Sequence, residues 1–202
     1  MTALNTALQH TQTTTKETLL SLPHQLKAQL PLSTKLAQQI ADQRQTIQNI
    51  LEGKDHRLMI VTGPCSIHDP ISALEYAQKL QHVQSQVSDQ IFLVMRAYIE
   101  KPRTTIGWKG FLYDPNLDNS SNMQLGLEKS RELYLQIIDM GLPIAAEILS
   151  PMATAYFDDL LAWGAIGART SESQIHREIS SHMPYSIGFK NGTDGSIQIA
   201  LD

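Results

Sequence analysis

Arg96, Lys101, Arg103, Lys109, Arg169 and Lys190 stand out in a chain that carries 16 Lys and Arg against 20 Asp and Glu, a formal net charge of −4. Arginine forks match phosphate and carboxylate in a bidentate way, and lysine adds a compact charge. Side chains of this kind at strand ends suit a small, multiply charged anion. Glu147 closes the apolar run Ile144-Ala-Ala-Glu-Ile148. A carboxylate there needs a partner. Among cations it stays ionised and orients a water or a substrate group, or it forms a structural ion pair with Arg169 or Lys190. Cys65, in Gly63-Pro-Cys-Ser66, is the single cysteine. Its place after a strand makes it a candidate metal ligand or nucleophile, with His68 as a second candidate ligand. Because the sequence lacks HxxH, CxxC and HExxH pairs, any metal site is expected to be incomplete within this chain. Arg169-Thr-Ser171 is expected where a strand meets a helix N-terminus, whose free N–H groups favour a phosphate.

Composition excludes several classes. Hydrophobic residues are 42% and charged residues 18%, which fits a folded chain rather than a disordered tail. The acidic balance argues against broad nucleic-acid binding through a basic coat. One cysteine allows no internal disulfide and suggests a reducing cytoplasm. The apolar runs are too short for a membrane span, and the first residues show no secretory signal. No nucleic-acid or membrane partner is therefore expected.

The elements that must position these groups alternate. Residues 1–32 read as an arm, with a short helix at Thr15 to Leu22. Ser33 caps a helix that runs to about Glu52 and stops at Gly53. Strands are expected at Leu58 to Thr62, Ile91 to Tyr98, Ile144 to Ile148, Ala165 to Ala168 and Tyr185 to Phe189. Helices are expected around Ala73 to Val83, Met123 to Met140, Pro151 to Trp163 and Glu172 to His182, the last with a Ser171/Gln174 capping box. A further helix begins near Asp194. This pattern predicts a parallel α/β sheet, either doubly wound or a (β/α)8 TIM barrel.

The strand ends favour the barrel. Cys65, Arg96, Glu147, Arg169 and Lys190 follow or close successive strands, and in a barrel they converge on one mouth. No glycine-rich dinucleotide fingerprint follows the first strand. Eight strands need about 250 residues, so the expectation is a barrel truncated after about its fifth strand. The expected organisation is an arm at 1–32, an N-terminal helix at 33–56 and the first part of the barrel at 57–202. Open sheet edges predict marginal stability for this stretch alone. The stretch Ile99 to Asn122 is about twice an ordinary connection and is expected to be an ordered lid or clamp.

Four segments resemble the class I DAHP synthases (3-deoxy-D-arabino-heptulosonate 7-phosphate synthases of the microbial type with an N-terminal arm). They are Gly63-Pro-Cys-Ser-Ile-His-Asp-Pro70, Glu100-Lys-Pro-Arg-Thr-Thr105 with Gly107-Trp-Lys-Gly110, Gly164-Ala-Ile-Gly-Ala-Arg-Thr170 with Glu172-Ser-Gln174, and Gly188-Phe-Lys-Asn-Gly-Thr-Asp-Gly195. The resemblance runs from about residue 22 to the end. It implies a (β/α)8 barrel and a transferase that joins phosphoenolpyruvate to erythrose 4-phosphate, the first step of the shikimate pathway to chorismate.

By motif match, Cys65 is implied as a ligand to a divalent metal of the Mn, Fe, Co or Zn type. Arg96, Lys101, Arg169 and Lys190, with the backbone of Gly167 and Ala168, are implied contacts to phosphoenolpyruvate. Glu147 is implied to hold the attacking water, and Lys101, Pro102, Arg103 and Thr104 to clamp erythrose 4-phosphate. The metal would polarise the aldehyde. An aromatic amino acid effector and a homo-oligomer, dimer or tetramer, are implied for the complete enzyme. Ala97 and Ile99 stand where the family more often has Val and Phe, which are packing changes. The other metal ligands are expected later in the family's chain, so no turnover is expected from residues 1–202 alone. The alternatives are a non-catalytic oligomerisation fragment and a related barrel enzyme using another sugar phosphate.

Overall fold

Parallel strands in unbroken sequential order set the architecture. The sheet is five-stranded, β1-β2-β3-β4-β5, built from β1 (Leu58–Thr62), β2 (Ile91–Arg96), β3 (Ile144–Glu147), β4 (Trp163–Ile166) and β5 (Ser186–Phe189). Each strand pairs in parallel with the next. A doubly wound sheet reverses its winding at a switch point. No reversal occurs here, so the sheet is an arc of a (β/α)8 barrel. The computed structural model describes residues 18–201, and all structural statements concern these residues.

The helices are α1 (Pro23–Gln29), α2 (Thr34–Leu51), α3 (Pro70–Val87), α4 (Met123–Asp139), α5 (Thr154–Phe157), α6 (Gln174–His182) and α7 (Gln198–Leu201). Ser33 Oγ accepts from the Leu36 N–H and starts α2. The Asp69 carboxylate accepts from the N–H groups of Ile71 and Ser72 and starts α3, with Pro70 in its first turn. The main core lies between the sheet and α3 to α5, with Tyr134, Phe157, Met95 and Ile144 buried in it. A second cluster joins Ile47 of α2 to Phe92, Val94, Ala145 and Ala162. Gln43 of α2 donates to the Gly141 carbonyl before β3. Arg44 donates to the Leu161 carbonyl before β4 and lies over the Tyr185 ring before β5. Helix α2 therefore braces the entry ends of three strands, opposite their functional tips.

Four expectations need correction. The helix placed at Thr15 to Leu22 is not formed over Thr18 to Leu22 (Thr15 to Glu17 lie outside the described residues). Helix α1 begins instead at Pro23, whose fixed φ and missing N–H suit a first turn. The helix placed at Pro151 to Trp163 is only the turn α5. Asp159 is drawn to buried Arg131, and Trp163 already pairs with Ala145 and Ser186 as the first residue of β4. Accordingly β4 is Trp163–Ile166 rather than Ala165 to Ala168. The Ser171/Gln174 capping box is absent, because Ser171 is fully buried and its Oγ donates to the Ala168 carbonyl. Helix α6 starts three residues later than Ser171, and the Ser173 hydroxyl is taken by His176.

The connection from Ala97 to Asn122 is long but packed. Phe111 and Leu112 are fully buried. The Lys101 N–H donates to the Lys109 carbonyl, and the Leu112 N–H to the Ile99 carbonyl. Trp108 Nε1 donates to the Asp114 carbonyl at 3.0 Å. Gly110 has φ +117°, and a Cβ there would lie 2.4 Å from the Ile99 carbonyl oxygen. Only glycine lets the loop double back so closely on the β2 extension.

Candidate active site

The tip of β1 turns through Gly63 and Pro64 and leaves Cys65 exposed. Two cations converge on it. Arg96 Nη2 donates to the Cys65 carbonyl at 3.0 Å, and Lys101 Nζ donates to Cys65 Sγ at 2.9 Å. The Lys101 hydrogen bond and charge, aided by Arg96 and Arg103, lower the pKa of the thiol and favour thiolate.

Arg96 leaves β2 with its guanidinium 3.8 Å above the Tyr98 ring, and Lys190 Nζ lies 5.6 Å from the same ring. Tyr98 thus stands against two cations. Arg96 Nε is buried without a hydrogen-bond partner among the described residues. Burial raises the Tyr98 hydroxyl pKa.

Glu147 closes β3. It makes no ion pair with Arg169 or Lys190 among the described residues, so the structural-pair alternative is not realised. Its Oε1 occupies the space where a side chain at residue 167 would project. A Cβ on Gly167 would lie 2.2 Å from that oxygen. Gly167 therefore lets the β4 tip approach the carboxylate.

These groups enclose a cavity of about 210 Å³. Cys65, Arg96, Lys101, Pro102, Glu147, Gly167, Ala168, Arg169 and Lys190 all line it. A second cavity of about 330 Å³ adjoins it and shares Lys101, Pro102 and Arg169, adding Arg103, Lys109 and Tyr113. Thr104 is exposed and lines neither. Arg169 sits in the turn ahead of α6 rather than at its N-terminus, so the helix-end phosphate cradle expected from the sequence does not form.

Several wall residues escaped the sequence reading. Tyr98, Glu100 and Leu149 line the first cavity, beside Thr170 of the turn already expected to meet a phosphate. Glu100 is buried, accepts from the Tyr113 hydroxyl at 3.1 Å and from the Ser150 N–H at 3.3 Å, and has its pKa pushed up to about 7, chiefly by burial. A usable signal existed for two of them. Arg96, Tyr98 and Glu100 are spaced by two along an extended segment and so share one face, while Ala97 and Ile99 enter the core behind it.

Cys65 has the chemistry of a ligand for a borderline metal. However, the described residues contain no group of three or more His, Cys, Asp or Glu that could hold one. His68 is exposed and completes no such group. The residues present do not make a metal site by themselves, and no step is derived through a metal.

Fold and site together define an α/β-barrel protein whose strand tips form a cation-rich, carboxylate-bearing anion pocket. The family model described as "DAHP synthetase I family" matches residues 30–202. The chain belongs to that family. It is 52% identical over 188 residues to the Tyr-sensitive phospho-2-dehydro-3-deoxyheptonate aldolase of Escherichia coli K12, covering 93% of this chain and 53% of the relative. It is 49% identical over 180 residues to the Phe-sensitive aldolase of the same organism, covering 89% and 51%. The solved structure of the Francisella tularensis SCHU S4 aldolase superposes with a TM-score of 0.90 at 49% identity, covering 93% of this chain and 55% of that one. The chain spans about half the length of the curated relatives it matches. Among the described residues, no helix is long and apolar enough to cross a membrane.

Proposed function

We propose that this chain carries the phosphoenolpyruvate pocket of a 3-deoxy-7-phosphoheptulonate synthase, which condenses phosphoenolpyruvate with D-erythrose 4-phosphate and water to give DAHP and phosphate. The observation that carries the reading is the single cavity lined by Arg96, Lys101, Glu147, Arg169 and Lys190.

In this reading the four cations hold the phosphate and carboxylate of phosphoenolpyruvate, with the backbone at Gly167 and Ala168 alongside. Preorganised cations stabilise charge where it develops on the departing phosphate. Glu147, unpaired and tucked under Gly167, holds the attacking water. Lys101, Pro102, Arg103 and Thr104 clamp erythrose 4-phosphate, and the adjoining cavity with Arg103 and Lys109 supplies the volume. Cys65 would supply one ligand to a divalent metal, whose other ligands are not among the described residues.

The same reading divides the chain into an arm at 1–32, a bracing helix at 33–56 and barrel at 57–202, and places it in the cytoplasm as part of a homo-oligomer. The relatives' names, Tyr-sensitive and Phe-sensitive among them, support an aromatic amino acid effector. Calorimetric titration tests the substrate pair. Phosphoenolpyruvate binds, and erythrose 4-phosphate binds more tightly than a five-carbon sugar phosphate. Equal or stronger binding of the longer sugar phosphate would transfer the site to a related barrel enzyme.

A further inference from the structure

Glu100 belongs to no role assigned above, yet it lines the first cavity and bonds a wall of the second. One carboxylate oxygen holds Tyr113, a wall of the second cavity, and the other holds the Ser150 N–H, next to Leu149, a wall of both. The side chain is buried and lines the first cavity beside Glu147. It has no ion-pair partner among the described residues. A buried, unpaired carboxylate beside a second carboxylate is costly when ionised.

The ionisable groups around it are mixed in sign. Glu147 faces it from β3, Tyr113 from the long loop, Tyr134 from α4 and Tyr185 from the entry to β5. On its own segment are Arg96, Tyr98 and Lys101. Arg169, Lys190 and Cys65 look into the shared cavity. His176 of α6 bonds the Leu149 carbonyl behind the Ser150 turn. The cavity cations partly offset the cost of a charged Glu100, and a bound anion would cancel that offset.

We propose that Glu100 is a positioning residue that takes up a proton when an anion occupies the neighbouring cavity, so that anion affinity and Glu100 protonation reinforce each other. By linkage the effect is reciprocal: protonated Glu100 raises anion affinity, and bound anion raises the pH at which Glu100 ionises. Burial has already brought that ionisation to about pH 7, so the coupling operates near neutrality. The proton comes from solvent and no bond other than O–H forms. The coupling applies to any small dianion. Its assignment to phosphoenolpyruvate rests on the function proposed above.

Inorganic sulfate is the first probe, because its charge is constant between pH 6 and pH 8. The chain is titrated with sulfate at both pH values, alongside Glu100→Gln, which imitates the protonated form. The wild type loses affinity from pH 6 to pH 8 by about two- to fivefold more than the variant does, the ratio that a half to one unit of coupling gives over this window. The variant binds more tightly than the wild type at pH 8. In the wild type, carbon-13 observation of the Glu100 carboxyl, assigned by its loss in the variant, shows a midpoint that moves upward with sulfate. This second readout does not depend on the variant's folding. Equal pH 6 to pH 8 ratios, an unmoved midpoint, or no sulfate binding would overturn the coupling. Sulfate coupling without phosphoenolpyruvate binding would keep it and discard the substrate assignment.

Discussion

Lys101 Nζ donates to Cys65 Sγ at 2.9 Å and joins the long loop to the tip of the first strand. The contact holds a cation and a thiol in one cavity wall, and it makes the thiol sensitive to the cation. Lys101 also has its N–H on the Lys109 carbonyl, so the long loop is fixed at both backbone and side chain.

This pairing predicts the reactivity of Cys65. Removing the Lys101 charge in Lys101→Met raises the thiol pKa, because its largest favourable partner is lost. Each unit of rise cuts the thiolate fraction about tenfold below the midpoint. The rate of iodoacetamide alkylation against pH measures it. The profile of the variant lies at higher pH than that of the wild type, and coincident profiles would break the link.

Gly167→Ala tests the placement of Glu147. The new Cβ meets the carboxylate end of a flexible side chain rather than backbone. The carboxylate is displaced while the fold is kept, with a stability loss of about 1 kcal/mol or less. Phosphoenolpyruvate binding weakens or its enthalpy changes, while the urea midpoint barely moves. A collapse in stability with unchanged binding would reverse the assignment.

Arg131 is fully buried and ties three segments together. It donates to the Leu30 carbonyl, the Tyr156 carbonyl and the Asp159 carboxylate. Arg131→Met strands those acceptors and costs about 3 kcal/mol. Urea denaturation followed by circular dichroism reads the loss. A change below 1 kcal/mol would show that the link between α1, α4 and α5 contributes little.

Glu100 predicts the pH dependence of stability. Its pKa is about 7 in the folded chain against an ordinary 4.5. Between those values the folded state binds the extra proton, so stability falls as pH rises. The contribution is present below pH 4.5 and is gone above about pH 7. Glu100→Gln flattens this slope by about 1–3 kcal/mol across the window, as seen in urea midpoints from pH 5 to pH 8. An equal slope in both proteins would place the titration elsewhere.

The strands and their charged tips were legible because short apolar runs end in groups that apolar runs rarely contain. Arg96, Glu147 and Lys190 could be placed from that alone. Tyr98 and Glu100 were harder. They continue the period of two past the last laddered residue of β2, in a stretch that reads as loop, and their burial comes from Tyr113, Ser150 and Lys190, which no local pattern announces. The failures have one kind of cause. Ser171 has the spacing of a cap but spends its hydroxyl on Ala168, and the segment after Pro151 has helical spacing but is turned by the Arg131–Asp159 pair. Long-range partners decided both.

Calorimetric titration of phosphoenolpyruvate into the chain, its Arg169→Ala variant and its Lys79→Ala variant tests the shared anion pocket most directly. Lys79 is exposed on α3, away from the cavity. Loss of a charge-assisted contact weakens binding to Arg169→Ala by about tenfold or more, while Lys79→Ala binds as the wild type does. Equal affinity in all three proteins, or no binding to any, would contradict the account.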